Sequence, residues 1–216
     1  MRHQVLVIGL GRFGSAVARE LSELGHEVLA LDRDEEVVND IAPSVTHATQ
    51  VDATDEDALR AVGAADFRFA VVAISSAAEA SIFATMALHD LGVGTIVAKA
   101  SDTLHGEILR RVGATRVVFP EREAGQRVAH LFSVPQVVDY LDVGPRYGIQ
   151  KLHPPESWIG RSLGQLDMPG RLKLTPIALR RATAVTINPP DVEVLREGDE
   201  LILIGLDERL EHLAET

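Results

Sequence analysis

A chain of 216 residues, set against a usual domain size of about 150, is expected to form one large or two modest domains. Hydrophobic residues at 46% and charged residues at 25% exclude a disordered chain, and a net charge of −11, from 21 Lys and Arg against 32 Asp and Glu, repels a phosphate backbone, so no nucleic-acid partner is expected. The absence of cysteine excludes disulfide scaffolds, thiolate metal sites and cysteine nucleophiles.

In chain order, short β-branched runs at 5–8, 28–31, 46–51, 69–74, 95–98 and 116–119 read as strands separated by amphipathic stretches. Four of those stretches end in an apolar residue and a glycine (Leu24-Gly25, Val62-Gly63, Leu91-Gly92, Val112-Gly113), the pattern of a helix closed by a left-handed residue. Val17, Leu21 and Leu24 are expected to form the apolar stripe of the first helix. Strand and helix in alternation imply an α/β fold, a Rossmann-like doubly wound parallel sheet with helices on both faces. Seven of the ten prolines lie beyond residue 144, and proline is excluded from central strands, so a small C-terminal α+β domain is expected. It should carry strands at 137–143, 147–152, 174–179 and 201–206, a helical turn near 163–166 and a final helix from about 207. The domains are set at 1–134 and 135–216. The acidity belongs to the first part: residues 1–144 carry 12 basic against 21 acidic residues, and residues 145–216 carry 9 against 11. The longest apolar runs, such as 69–74, are far short of the 18 or more residues of a membrane span, and the first residues enter a strand without a secretory signal, so a cytoplasmic protein is the default expectation.

Directly after the first strand stands Gly9-Leu10-Gly11-Arg12-Phe13-Gly14, which opens the first helix. Gly9 permits the tight turn, Gly11 lets a phosphate approach the backbone, and Gly14 lets helix and strand pack closely, so phosphate charge meets a helix N-terminus. Asp32 ends the second strand 23 residues after Gly9, where a carboxylate can take ribose hydroxyls. Together these features point to an adenine nucleotide or a dinucleotide. Asp34 to Glu36 read as a helix first turn complementing the macrodipole. Asp52-Ala53-Thr54-Asp55-Glu56-Asp57 lacks the glycine and glutamate of a calcium loop, and Thr54 with Asp57 reads as a variant capping box. Asp52, at the end of the third strand, has both a nucleotide contact and a structural role open to it. Tyr147 and Lys151 match a dehydrogenase spacing, but in a strand positions four apart are roughly 13 Å distant, so the match reads as accidental. The eight histidines show no paired ligand spacing, and no serine occupies a GxSxG elbow. No catalytic machinery is visible.

The glycine loop, Gly25 to Asp32, Asp52-Ala53-Thr54, Lys99-Ala100 and Pro120 to Gly125 resemble the RCK (regulator of potassium conductance) domain, in the form of the cytosolic subunits of bacterial Ktr potassium-uptake systems. The resemblance implies a non-enzymatic gating subunit: a homo-octameric ring beneath a KtrB-type membrane transporter, changing shape between ATP and ADP, peripheral to the inner face of the plasma membrane. It implies that Arg12 reaches the terminal phosphates, Asp32 holds the ribose, and Asp52, Ala53 and Thr54 flank the adenosine. Lys99 would lie beside the phosphates, and Phe13, Arg33 and Ser75 complete the expected contacts. Glu121 would help hold a cation, Mg2+ or Ca2+, at a dimer contact. Some members bind cyclic di-AMP in the small domain; Pro169 stands where they carry an arginine, which leaves that ligand open. An NAD-dependent dehydrogenase would fit the glycine loop and Asp32 equally but needs acid/base residues that the last 72 residues do not offer. An NADH-reading transcription factor is opposed by the acidic charge.

Overall fold

The computed structural model describes residues 2–75, 77–133 and 136–215. Strands β1 (Gln4–Ile8), β2 (Glu27–Asp32), β3 (His47–Gln50), β4 (Phe69–Val72), β5 (Thr95–Lys99) and β6 (Arg116–Val118) alternate with helices α1 (Arg12–Glu23), α2 (Glu35–Ile41), α3 (Glu56–Ala61), α4 (Ala78–Asp90) and α5 (Thr103–Arg111). The strands are parallel in the order β3-β2-β1-β4-β5-β6, so the direction of winding reverses between β1 and β4. Both faces of β1 are buried: Leu6 and Ile8 join one apolar cluster, Val5 and Val7 the other. This is why a doubly wound strand reads as an unbroken apolar run instead of an alternating one.

The expected stripe of α1 shifts by one position. Gly14 and Ala18 are its buried residues, Val17 and Leu21 are half-buried, and Leu24 is 66% exposed as the residue closing the helix. Small residues at the contact bring α1 close to the sheet, which draws the glycine loop down onto the strand ends. The four glycines expected after helices all adopt positive φ.

Contacts divide the chain into a unit ending at Glu121 and a unit beginning at Arg122. The division expected between 134 and 135 falls on residues outside those described. Helix α6 (Pro120–Ser133) begins at the end of the first unit. Within the second unit Arg127 pairs with Asp139 at 2.9 Å and the His130 ring stacks on Tyr140 at 3.7 Å. The sheet there is antiparallel, β10-β9-β11-β8-β7, built from β7 (Val137–Gly144), β8 (Tyr147–Leu152), β9 (Leu174–Arg181), β10 (Ala184–Ile187) and β11 (Glu200–Leu206). Helix α7 (Leu163–Leu166) carries a capping box between Ser162 and Gln165, and α8 (Asp207–Glu211) follows β11. Leu152, Leu174, Leu201 and Leu203 form the core with Trp158, which is 2% exposed. Strand β10 was not expected. Its hairpin turns through Ala182 at φ 54, a left-handed position without the glycine that would announce it.

A buried carboxylate, Glu200, ties three strands of this sheet. It is bonded by the Arg180 guanidinium and at 2.6 Å by the Lys151 ammonium, and these cations pull its carboxyl down to about 2. A group held below its unfolded value stabilises the fold above that value and loses the contribution as pH falls. Glu200→Gln is expected to cost about 1–3 kcal/mol at neutral pH and to flatten the loss of stability between the ordinary carboxyl value of 4.5 and about 2. Denaturant titrations of both proteins across that range check this; parallel pH profiles would count against it.

Candidate functional site

The glycine loop is shaped by close contacts that only glycine permits. Gly9 has φ 91, and a Cβ there would lie 2.8 Å from the Ile74 backbone nitrogen. A Cβ on Gly14 would fall onto the Gly9 carbonyl and 3.0 Å from the Ala73 Cβ. Gly11 differs: its φ is −62 and nothing lies within 4 Å of an added Cβ, so its backbone faces open space. It sits at the start of α1 with no side-chain cap, leaving the N–H groups of a twelve-residue helix directed at that space.

Asp32 is tied to this loop. One carboxylate oxygen accepts the Leu10 N–H at 2.6 Å and the other the Asp34 N–H at 3.0 Å. The end of β4 is drawn alongside by the Ala73 N–H donating to the Ile8 carbonyl at 2.7 Å. After β3, Asp52 accepts the Thr54 N–H at 2.9 Å and its hydroxyl at 2.7 Å, and these bonds hold the Asp52 carboxyl below its ordinary value. The expected Thr54–Asp57 capping box is therefore corrected. Thr54 is committed to Asp52, and α3 is capped by Asp55, which accepts the N–H groups of Asp57 and Ala58. Asp34 caps α2 in the same way.

These pieces enclose a cavity of about 410 Å³ at the reversal between β1 and β4, the place where open α/β sheets bind ligands. Gly9, Gly11, Asp32, Arg33, Asp52, Ala53, Thr54 and Ser75 line it. Ile8, Val37, Val51, Ala73 and Ile74 add an apolar wall that motif reading did not single out; their signal is position, at or just beyond the carboxyl ends of strands, or on the first face of α2. Gly14 lies in the contact between helix and strand, and Arg12 is exposed beside the loop.

Phe13 and Lys99 meet elsewhere. The Lys99 ammonium lies 5.6 Å from the centre of the Phe13 ring, 2.9 Å from Ser75 Oγ and 2.5 Å from Glu121 Oε1. Lys99, Ser75, Ser101, His105 and Glu121 line a second cavity of about 240 Å³, which shares Ile74 and Ser75 with the first. His105, also missed by motif reading, bonds Ser81 Oγ at 2.8 Å and accepts the Ser101 N–H at 3.3 Å, so both ring nitrogens have partners. The Lys99 hydrogen bond is the main reason the Glu121 carboxyl sits below its usual range. The described residues do not support the expected Mg2+ or Ca2+ at Glu121. Its carboxylate is held by an ammonium, and no group of three or more His, Asp or Glu that could hold a metal ion occurs among them. Tyr147 and Lys151 lie along β8, not on a helix, and Lys151 is committed to Glu200.

A glycine loop at a helix N-terminus, a carboxylate ending the next strand and a cavity at the reversal of strand order, in a chain that also carries a small antiparallel unit, define the class of two-domain proteins built on a Rossmann-like nucleotide fold. Residues 5–120 match the TrkA-N domain and residues 151–216 the TrkA-C domain, and the chain belongs to this TrkA-type family. It is 37% identical over 205 residues to Ktr system potassium uptake protein C of Bacillus subtilis strain 168, covering 95% of this chain and 93% of that protein. To Ktr system potassium uptake protein A of the same organism it is 34% identical over 202 residues, covering 94% and 91%. Among solved structures, the RCK domain of GsuK shares the fold, with a TM-score of 0.69 at 19% identity; this chain is covered entirely and spans 48% of that one. No helix among the described residues is long and apolar enough to cross a membrane.

Proposed function

We propose that this chain is a regulatory subunit of a potassium-uptake system, in which an adenine nucleotide in the cavity at the β1/β4 reversal biases the subunit between two shapes. The observation that carries the reading is that cavity, lined by the glycine loop, Asp32 and the Asp52-Ala53-Thr54 turn. Kinship over nearly the whole chain with potassium-uptake proteins A and C supplies the transport context. The finer parts of the reading are a cytoplasmic homo-octameric ring, a KtrB-type membrane partner, and ATP and ADP as the opposing ligands, with NAD or NADH fitting the same loop. A regulator of this kind needs a ligand that binds the two shapes with different affinity.

The direct test is the mass and melting temperature of the purified protein with ATP, ADP, NADH and cyclic di-AMP in turn. Adenine nucleotides are expected to raise the melting temperature of a multimer; a monomer indifferent to all four ligands would refute the reading. Arg12 is exposed, begins α1 within the glycine loop, and carries the group suited to a bidentate grasp of phosphate. Arg12→Ala is expected to remove the preference for ATP over ADP while leaving ADP binding nearly intact, as read by competition titration. Unchanged discrimination would clear Arg12 of any sensing role.

A further inference from the structure

Five charged side chains alternate in sign across the C-terminal sheet and onto α6. Arg180 of β9 and Lys151 of β8 both hold Glu200 of β11, Lys151 stands opposite Asp139 of β7 in the strand register, and Asp139 holds Arg127 of α6. One nitrogen of the Arg127 guanidinium donates to both Asp139 oxygens, at 2.9 and 3.0 Å. Partial burial opposes the charge on Asp139, yet the bonds from Arg127 and the Tyr140 N–H, with the charges of Arg127 and Lys151 behind them, keep its carboxyl below the ordinary range.

The row is unevenly buried. The Glu200 side chain is 9% exposed, whereas those of Asp139 and Arg127 are 48% and 57% exposed. Dissolved ions screen charges that stand in water and act much less on those that do not; the screening length falls from about 30 Å at about 0.01 M salt to about 3 Å at about 1 M. Salt therefore weakens the outer pair, which tethers α6, and spares the inner cluster that joins β8, β9 and β11. Residues 121–129 of α6 are all exposed, so water and salt reach the helix along that whole stretch. The His130 ring, stacked on Tyr140 at 3.7 Å with Glu211 3.8 Å from the same imidazole, is a neighbouring contact that does not need the pair.

We propose that the Arg127–Asp139 pair is a salt-sensitive clasp: it docks α6 onto β7 at low ionic strength and releases the helix as ionic strength rises, while the sheet behind it stays intact. Helix α6 carries the chain from the unit holding the glycine loop into the C-terminal unit, so the clasp makes the stiffness of that connection depend on the salt of the surrounding solution. In a regulator of potassium uptake, the ion being moved itself sets that variable. The clasp does not depend on the nucleotide reading above.

The test is hydrogen exchange of the whole chain, read by mass spectrometry on peptides from α6 and, as an internal control, from β8 and β11, at the same two concentrations of KCl and of choline chloride. The α6 amides of the wild type are expected to exchange about two- to five-fold faster at the higher concentration, the equivalent of losing an exposed ion pair, in both salts alike and with β8 and β11 unchanged. Arg127→Gln is expected to exchange at the wild type's high-salt rate whatever the concentration, and Arg127→Lys to restore part of the salt dependence. Asp139→Asn, which keeps an oxygen for the Tyr140 N–H, should match Arg127→Gln, and the double variant should add nothing to either. The His130 contact is present in all of these proteins, so only the difference from the wild type reports on the clasp. Equal salt dependence in the wild type and Arg127→Gln overturns the proposal. So does a response to KCl that choline chloride does not reproduce, which would mark a bound potassium ion instead of screening, or salt that loosens β8 and β11 as much as α6.

Discussion

Asp32→Ala is expected to weaken ATP, ADP and NADH alike by about 10- to 150-fold, the equivalent of losing a charge-assisted hydrogen bond of roughly 1.5–3 kcal/mol. The adenosine ribose is present in all three ligands, so the loss should not depend on a third phosphate or on a second base. A carboxylate kept for ligand alone would leave the fold untouched, but both oxygens of Asp32 already accept backbone N–H groups, from Leu10 and Asp34. Alanine therefore also unties the glycine loop, and a stability loss of about 1–3 kcal/mol is expected alongside. Asp32→Asn separates the roles, since its remaining carbonyl oxygen can hold one of the two N–H groups while the charge offered to ribose is gone. Calorimetric affinity and denaturant stability, measured on both variants, decide the matter; wild-type affinity in Asp32→Ala would mean that ribose lies elsewhere.

Two substitutions in the glycine loop should part company. Gly14→Ala sets a methyl group onto the Gly9 carbonyl, so α1 must move off the sheet. Overpacking of this kind costs about 1–3 kcal/mol, and the displaced helix N-terminus should abolish nucleotide binding. Gly11→Ala meets nothing within 4 Å and has an ordinary φ of −62, so its melting temperature should match the wild type. The added methyl group nonetheless stands where phosphate must approach the backbone, and nucleotide affinity is expected to fall at least about ten-fold. Equal melting temperatures for the two variants, or full affinity in Gly11→Ala, would contradict this account of the loop.

The parts of the site that were legible in the sequence are those written locally. Gly9 to Gly14 follow their strand and open their helix, and Asp32 ends the next strand, so spacing alone brings them together. What stayed hidden was assembled across the sheet: Lys99 meets Ser75 and Glu121 over separations of 24 and 22 residues, and His105 meets Ser81 over 24. No spacing rule covers such pairs, because strand order and helix placement decide them. The misread cap at Thr54 has another cause. Asp52, Thr54 and Asp55 all carry capping groups, and only the path of the chain leaving β3 settles that Thr54 turns back to Asp52 while Asp55 caps α3. The unexpected β10 reflects Ala182 in a conformation that residue type does not signal, and the displaced stripe of α1 reflects glycine and alanine burying a helix face that hydropathy assigns to leucine.

Trp158 is the one tryptophan of the chain, and it is enclosed in the core of the C-terminal unit. Indole emission is therefore an optical label for that unit alone, supplied by nature, while the unit holding the glycine loop is dark at the same wavelength. Far-ultraviolet dichroism, to which the helices of both units contribute, is the complementary signal. Superimposable transitions from the two signals would describe one cooperative molecule, and separated ones would reveal how independently its two halves come apart.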